Sequence, residues 1–227
     1  TDYLDSVAGL NIKHEINTIK KLVESKSRPM TIIISGAKVS TKIVLIKKLL
    51  EKCDNMILGG GILNTFLKAK GYEVGSSLLE DNFIQEAREI LESDSTNKIL
   101  FPSDLLCQSK KGVANIDVSS ISKNDVIYDI GTRSIEKIKD IVKKSSSVFW
   151  NGPLGYIEKK PFNRGTEELA KSIAEHNCFS IVGGGDTLPI IESLNLQDNY
   201  DCLSTGGGSL LSYLEGGSLP ILDKLNL

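Results

Sequence analysis

Histidine is scarce in this chain: His14 and His176 are the only two among 227 residues. Neither has an acid or a nucleophile beside it, so no Ser-His-Asp or Cys-His arrangement can be argued, and both read as surface or helix-end residues. Cysteine is sparse too. Cys53, Cys107, Cys178 and Cys202 stand far apart, without a CxxC or a Cys/His ligand spacing, which argues against a structural zinc site. Isolated thiols of this kind fit a reducing cytosol, and a cytoplasmic protein is expected. No apolar run approaches a membrane span, and the first residues lack a signal-peptide pattern. A net charge of −2 leaves no broad pull on nucleic acid or anionic lipid. Two nucleotide fingerprints are missing as well, because neither G-x-G-x-x-G nor G-x-x-x-x-G-K-[ST] occurs.

What the chain does have is glycine, placed just after short apolar runs. The elbows are Ser35-Gly36-Ala37-Lys38, Gly59-Gly60-Gly61, Asn151-Gly152-Pro153, Gly183-Gly184-Gly185-Asp186-Thr187 and Ser204-Thr205-Gly206-Gly207-Gly208-Ser209. In an open parallel sheet the strand ends share one edge, and ligands bind in the crevice beyond it. Bare amides at helix N-termini along that edge suit phosphate, so the pattern points to a nucleotide site.

The hydrophobic pattern alternates strands with helices. Strands are expected at 30–34, 56–58, 99–101, 126–128, 148–150, 179–182 and 201–203, and the alternation in 113–118 reads as a half-exposed strand or hairpin. Helices are expected at 12–24, 62–69, 80–93, 133–144, 164–176 and 209–214, and after Asp186. One more follows the first elbow, with Ser40 as N-cap and Ile43, Ile46, Leu49, Leu50 and Cys53 on its stripe. This order predicts an α/β fold: a doubly wound, Rossmann-like parallel sheet of about six strands with helices on both faces. It spans 30–227, and residues 1–29 form a connecting helical segment. The start at Thr1 rather than Met is expected of a piece cut from a longer protein, or of N-terminal processing.

Chemistry gathers at the elbows. Lys38 and Lys42, four apart, put two ammonium groups on one side of a helix N-terminus, a clamp for phosphate. The plainer reading is a solvated helix start, but a cation in the first turn opposes the helix dipole. Asp186 follows an amide nest; it reads as an N-cap or as a Mg²⁺ holder, and the two are compatible. Asn151 suits a phosphate or sugar, and Glu158 suits ribose hydroxyls. Trp150 reads as core. Arg133 and Arg164 precede helical runs and read as structural.

The strings GAKVSTKI (36–43), GGGILNTFLKA (59–69), FWNGPLGYIE (149–158), SIVGGGDT (180–187) and STGGGSLLSYLEGGSLP (204–220) together strongly resemble phosphoglycerate kinase, in the family's order and spacing. The resemblance covers nearly the whole chain and matches the family's C-terminal, nucleotide-binding lobe; the N-terminal lobe has no counterpart here. It implies reversible phosphoryl transfer between 1,3-bisphosphoglycerate and ADP, giving 3-phosphoglycerate and ATP, with a carboxyl group as acceptor and Mg²⁺ as cofactor. It implies that Lys38 contacts the transferring phosphoryl group and Lys42 the nucleotide phosphates, with Gly36 and Ala37 in the same loop. Gly59 and Gly60 then form part of the adenine pocket wall, Asn151 and Pro153 contact nucleotide, and Glu158 binds ribose. Asp186 holds magnesium, Gly184, Gly185 and Thr187 cradle phosphate, and the Gly206, Gly207 and Gly208 amides face the transferred group. Ser35, Thr41 and Ser209 depart from the family's commoner glycine, aspartate and alanine, and the implied site is kept. The implied partner of this chain is Mg-nucleotide. Phosphoglycerate or bisphosphoglycerate binds only with the missing lobe, and the protein is expected to be a monomer without nucleic-acid or membrane partners. The chain by itself is expected to bind nucleotide with little or no turnover. The alternative is a nucleotide-binding or scaffolding remnant without catalysis; a dehydrogenase lacks its glycine fingerprint here.

Overall fold

Strands buried on both faces carry continuous apolar runs rather than alternation, and such runs set the centre of this molecule. The computed structural model describes residues 9–24 and 27–215. Strands β1 (Met30–Ser35) and β7 (Ser147–Asn151) are buried along their whole length and pair in parallel, Ile32 opposite Phe149 and Ile34 opposite Asn151. Beside β1 lie β2 (Asn55–Gly59) and β3 (Ile99–Leu100); beside β7 lie β8 (Phe179–Gly183) and β9 (Cys202–Ser204). The order is β3-β2-β1-β7-β8-β9, six strands, all parallel. The direction of chain progress across the sheet reverses between β1 and β7. That is the switch point where such sheets open a crevice.

Helices flank the sheet: α1 (Leu10–Glu24), α2 (Ile43–Lys52), α3 (Gly60–Ala69), α4 (Ile84–Ser93), α5 (Thr132–Lys144), α6 (Arg164–Glu175), α7 (Leu188–Ser193) and α8 (Gly207–Leu214). Helices α2, α4, α5 and α6 bury one stripe each, whereas α3 is buried nearly all round. On α5 the buried residues are Ser134, Ile135, Ile138 and Val142, while Ile141, at the edge of the stripe, is half-buried. Ile19 and Leu22 of α1 join the buried cluster of the sheet, and α1 touches β8 and β9.

Two expectations are corrected. The helix after the first elbow begins at Ile43 and Ser40 does not cap it. Residues 39–42 close a turn first, with Lys42 N–H donating to the Val39 carbonyl at 2.8 Å. Ser40 is left in that turn, and its N–H and hydroxyl both donate to the Glu80 carboxylate, each at 2.8 Å. The helical i,i+4 geometry expected for Lys38 and Lys42 therefore does not apply. The second correction concerns 103–129. There β4 (Asp104–Ser109), β5 (Gly112–Asp117) and β6 (Val126–Ile130) form a separate antiparallel sheet, order β5-β4-β6. The hairpin reading of 113–118 holds as β4–β5, but the strand at 126–130 leaves the parallel sheet. The buried Asp104 ties this sheet to α5 by accepting from the Ser134 and Arg133 amides at 2.9 and 3.2 Å. Arg133 pairs with Asp117 and Asp104, the structural role expected for it.

Where helix α3 meets the β1 elbow, backbone lies against backbone. A Cβ on Gly61 would overlap the Ala37 carbonyl oxygen, whereas a Cβ on Gly185 meets nothing within 4 Å. Gly61→Ala is therefore expected to lower stability by about 1–3 kcal/mol, and Gly185→Ala to change it by less than about 0.5 kcal/mol. Urea unfolding of the two variants checks this.

Candidate functional site

Because β1, β2, β7, β8 and β9 are parallel, all five glycine elbows open on the same edge. Close contacts run from one elbow to the next. Gly60, with φ +61°, lies so near the β1 elbow that a Cβ would stand 2.7 Å from the Gly36 carbonyl oxygen. Gly152, with φ +93°, leaves no room for a Cβ against the Ser35 carbonyl. A Cβ on Gly184 would fall 3.4 Å from Asn151 Nδ2 and 3.5 Å from the Gly152 nitrogen. Only glycine lets these turns approach at the required dihedrals.

Lys42 closes the gap between the two central strands. Its Nζ donates to the Ser35 carbonyl at 2.5 Å and to Asn151 Oδ1 at 2.6 Å. Burial pulls its pKa down to about 8, against the raising effect of the Asp186 charge. It also occupies the N-cap position of α2, where no side-chain bond caps the helix. A desolvated cation beside open amides is a strong anion attractor. Lys38 lies exposed in the preceding turn. Asp186 is exposed and does not cap α7: the N-cap position is Thr187, with no side-chain cap bond. That removes the plainer of its two readings. The Thr187 hydroxyl is fully buried and has no hydrogen-bond partner among the described residues, a buried polar group of the kind that ordinarily finds one.

A cavity of about 510 Å³ extends from this edge, within the range of small-molecule sites. Gly36, Ala37, Gly60, Pro153, Glu158 and Asp186 line it. Gly59 is buried beneath, packed on Ser35. Lys42, Asn151, Gly184, Gly185 and Thr187 surround the strand ends beside the cavity rather than lining it. Gly206, Gly207 and Gly208 sit at the same edge, at the start of α8 and outside the lining. There Ser204 Oγ bonds Glu15 of α1 and accepts from the Gly206 amide at 3.2 Å. The string 216–220 lies outside the described residues.

The apolar half of the cavity escaped the sequence reading. Leu63, Leu78, Tyr128 and Tyr156 wall it, with the two tyrosine rings 5.5 Å apart. Leu78 and Tyr156 are 60% and 46% exposed, so a flat apolar ligand would dry both. Behind them the buried Asp129 accepts from the Gly165 and Ile130 amides, each at 2.8 Å, pinning the start of α6 to β6. Burial raises its pKa to about 7 in spite of those bonds and of Arg164. Glu80 also went unread. It braces the Lys38–Lys42 turn through Ser40, and its own N–H donates to Thr65 Oγ1 of α3 at 3.2 Å. The Ser40 amide holds its carboxyl below the ordinary value. An apolar pair in the loop, Leu78-Leu79, followed by Glu80 was the available signal. His176, at the end of α6, contacts the Ser145 carbonyl at 3.2 Å and lies outside the cavity lining.

Among the described residues no cluster of three His, Cys, Asp or Glu could hold a metal, and no helix is long and apolar enough to cross a membrane. A single exposed carboxylate beside a phosphate cradle still fits Mg²⁺, which takes one or two carboxylates and completes its shell with phosphate and water oxygens.

Comparison with known proteins adds to this geometry. The family model described as phosphoglycerate kinase matches residues 1–217. A phosphoglycerate kinase of Baumannia cicadellinicola is 42% identical over 220 residues, covering 96% of this chain and 56% of the relative. One of Buchnera aphidicola subsp. Schizaphis graminum is 45% identical over 222 residues, with shares of 96% and 56%. The solved phosphoglycerate kinase of Coxiella burnetii superposes with a TM-score of 0.91 at 35% identity, over 96% of this chain and 58% of that one. That of Pyrococcus horikoshii gives 0.85 at 30% identity, over 96% and 56%. The chain thus spans little more than half the length of the relatives it matches.

Lys42 sets a pH dependence. It is charged below about pH 8 and neutral above, and a phosphate needs the ammonium. Affinity for a diphosphate ligand such as ADP is expected to fall about tenfold between pH 7 and pH 9. Calorimetry checks it: Lys42→Met should bind weakly at both values and show no such fall. Stability moves the other way. A lysine depressed in the fold penalises folding while charged, so that penalty is relieved as pH rises from about 8 towards 10.5.

Proposed function

The chain belongs to the phosphoglycerate kinase family, and from that premise we propose that it is the nucleotide-binding half of such a kinase, working as a cytoplasmic monomer. The observation that carries this is the meeting of the β1, β7 and β8 elbows around Lys42, beside Asp186 and at the lip of a cavity with apolar walls. Phosphates fit the amide and ammonium end, and a base fits the end walled by Leu63, Leu78, Tyr128 and Tyr156.

In the reaction, the bond between phosphorus and the carboxyl oxygen of 1,3-bisphosphoglycerate breaks. A bond forms from that phosphorus to a terminal β-phosphate oxygen of ADP, and 3-phosphoglycerate leaves as the carboxylate. A carboxylate leaving group needs no proton, which suits a site without a histidine. The protein's part is to position and to neutralise charge. Lys42 and the Gly184 and Gly185 amides hold the ADP phosphates. Lys38, exposed on its braced turn, pairs with the moving phosphoryl group, whose other oxygens meet the Gly206–Gly208 amides. Glu158 takes the ribose hydroxyls. Asp186 would hold Mg²⁺, which when bound screens the phosphate oxygens. The phosphoglycerate end of the site requires a second lobe beyond these residues, and closing the two excludes water.

Two measurements test the proposal. Calorimetry should detect Mg-ADP binding to this chain, and a coupled kinase assay should find little or no turnover until an N-terminal lobe is supplied. Undetectable binding, or full turnover by the chain alone, would refute it. Asp186→Ala should weaken Mg-ADP at least about tenfold, since metal chelation outweighs a surface charge, while metal-free ADP changes little. An equal loss for both would assign Asp186 a purely structural role.

A further inference from the structure

Lys38 is exposed, so its aim depends on how its backbone is held. On the sheet side Gly61 lies against the Ala37 carbonyl, and Val39 is fully buried. Within the turn Thr41 Oγ1 donates to the Lys38 carbonyl at 3.0 Å. On the solvent side the tie is Glu80. One carboxylate oxygen accepts the Ser40 N–H and the other the Ser40 hydroxyl, each at 2.8 Å. Such bonds to an ionised group are stronger than neutral ones. The Lys38 charge also acts on this carboxylate. Glu80 is itself anchored to α3. Its N–H donates to Thr65 Oγ1, which donates in turn to the Gly61 carbonyl at 2.9 Å, and two residues earlier the Leu78 carbonyl accepts from Asn64 Nδ2 at 2.9 Å. Lys42 has its own ties, to the Ser35 carbonyl and to Asn151 Oδ1.

Resting on the reading of Lys38 as the partner of the moving phosphoryl group, we infer that Glu80 is a positioning residue for phosphoryl transfer, aiming Lys38 through Ser40 while Lys42 holds its place unaided. Truncating the carboxylate releases Ser40 and leaves Lys38 loosely aimed. The main-chain bonds at Leu78 and Glu80 persist, and so do both bonds of Lys42. The loss therefore falls on turnover and spares nucleotide affinity. Glutamine at this position keeps the brace without the charge. Its carbonyl oxygen accepts the Ser40 N–H, and its amide N–H donates to the Ser40 hydroxyl oxygen, which accepts as readily as it donates.

The test measures Mg-ADP affinity by calorimetry and kcat by the coupled assay with an N-terminal lobe supplied, for the unaltered chain, Glu80→Ala and Glu80→Gln. Glu80→Ala is expected to lower kcat about tenfold, the scale of a misaimed group, with the dissociation constant for Mg-ADP within about twofold of the original. Glu80→Gln should restore most of the lost turnover. Ser40→Ala, which removes only the hydroxyl bond, should lose less than Glu80→Ala, and it serves as the second variant if Glu80→Ala fails to fold. Unchanged kcat in Glu80→Ala, an equal loss of kcat and affinity, or no recovery with glutamine each overturns the inference and leaves the nucleotide reading intact. An unaltered chain that neither binds Mg-ADP nor gains turnover with the lobe overturns both together.

Discussion

An ammonium group sits between the ends of the two central strands, and the site is arranged around it. Lys42 Nζ donates to the Ser35 carbonyl on one side and to Asn151 Oδ1 on the other. These are the strands between which the sheet changes direction. To bring the lysine there, residues 39–42 close a turn before α2 begins, and Glu80 holds that turn from α3's side. Room for it depends on glycine at 36 and 152, where a Cβ would stand 3.3 and 3.4 Å from Lys42 Nζ. The cost is a cation partly stripped of water, visible in its lowered pKa. On the proposed reading a polyphosphate would restore what burial removed.

Much of the fold was legible because its signals are local. Runs such as Met30–Ser35 and Ser147–Asn151 are apolar without alternation, as strands covered on both faces must be. The elbows announced the edge on which the site is proposed, since each follows such a run. What stayed hidden depended on tertiary pairing. Strand β4 is the middle of a three-stranded sheet and buries its first four residues, so Asp104–Ser109 shows no period of two. Ser40 resembles a cap, yet its hydroxyl is claimed by a carboxylate forty residues away. The strand-end half of the candidate site, proposed for phosphate, was readable from glycine, lysine and aspartate. The apolar half was not, because Leu78, Tyr128 and Tyr156 come from separate segments and meet only in the folded chain.

The two halves divide the chemistry. The strand-end turns and Lys42 offer donors and positive charge, which on the proposed reading would meet phosphate. The cavity walls, Leu63, Leu78, Tyr128 and Tyr156 among them, offer apolar surface that suits a planar base. Glu80 touches neither directly and braces the turn that carries Lys38, while Asp129 lines the cavity and pins the start of α6 to β6. Such supports determine how well the groups in front of them are aimed.

The central claim is that amides from separate strand ends converge with Lys42 and Asp186 on one polyphosphate. An amide-resolved NMR titration of the chain with Mg-ADP tests it most directly. The account predicts coincident shifts at Gly36, Gly152, Gly184 and Gly185, saturating with one dissociation constant, together with shifts at Leu63 and Tyr156 in the cavity wall. Shifts confined to one elbow, or centred on the antiparallel sheet away from the strand ends, would contradict it.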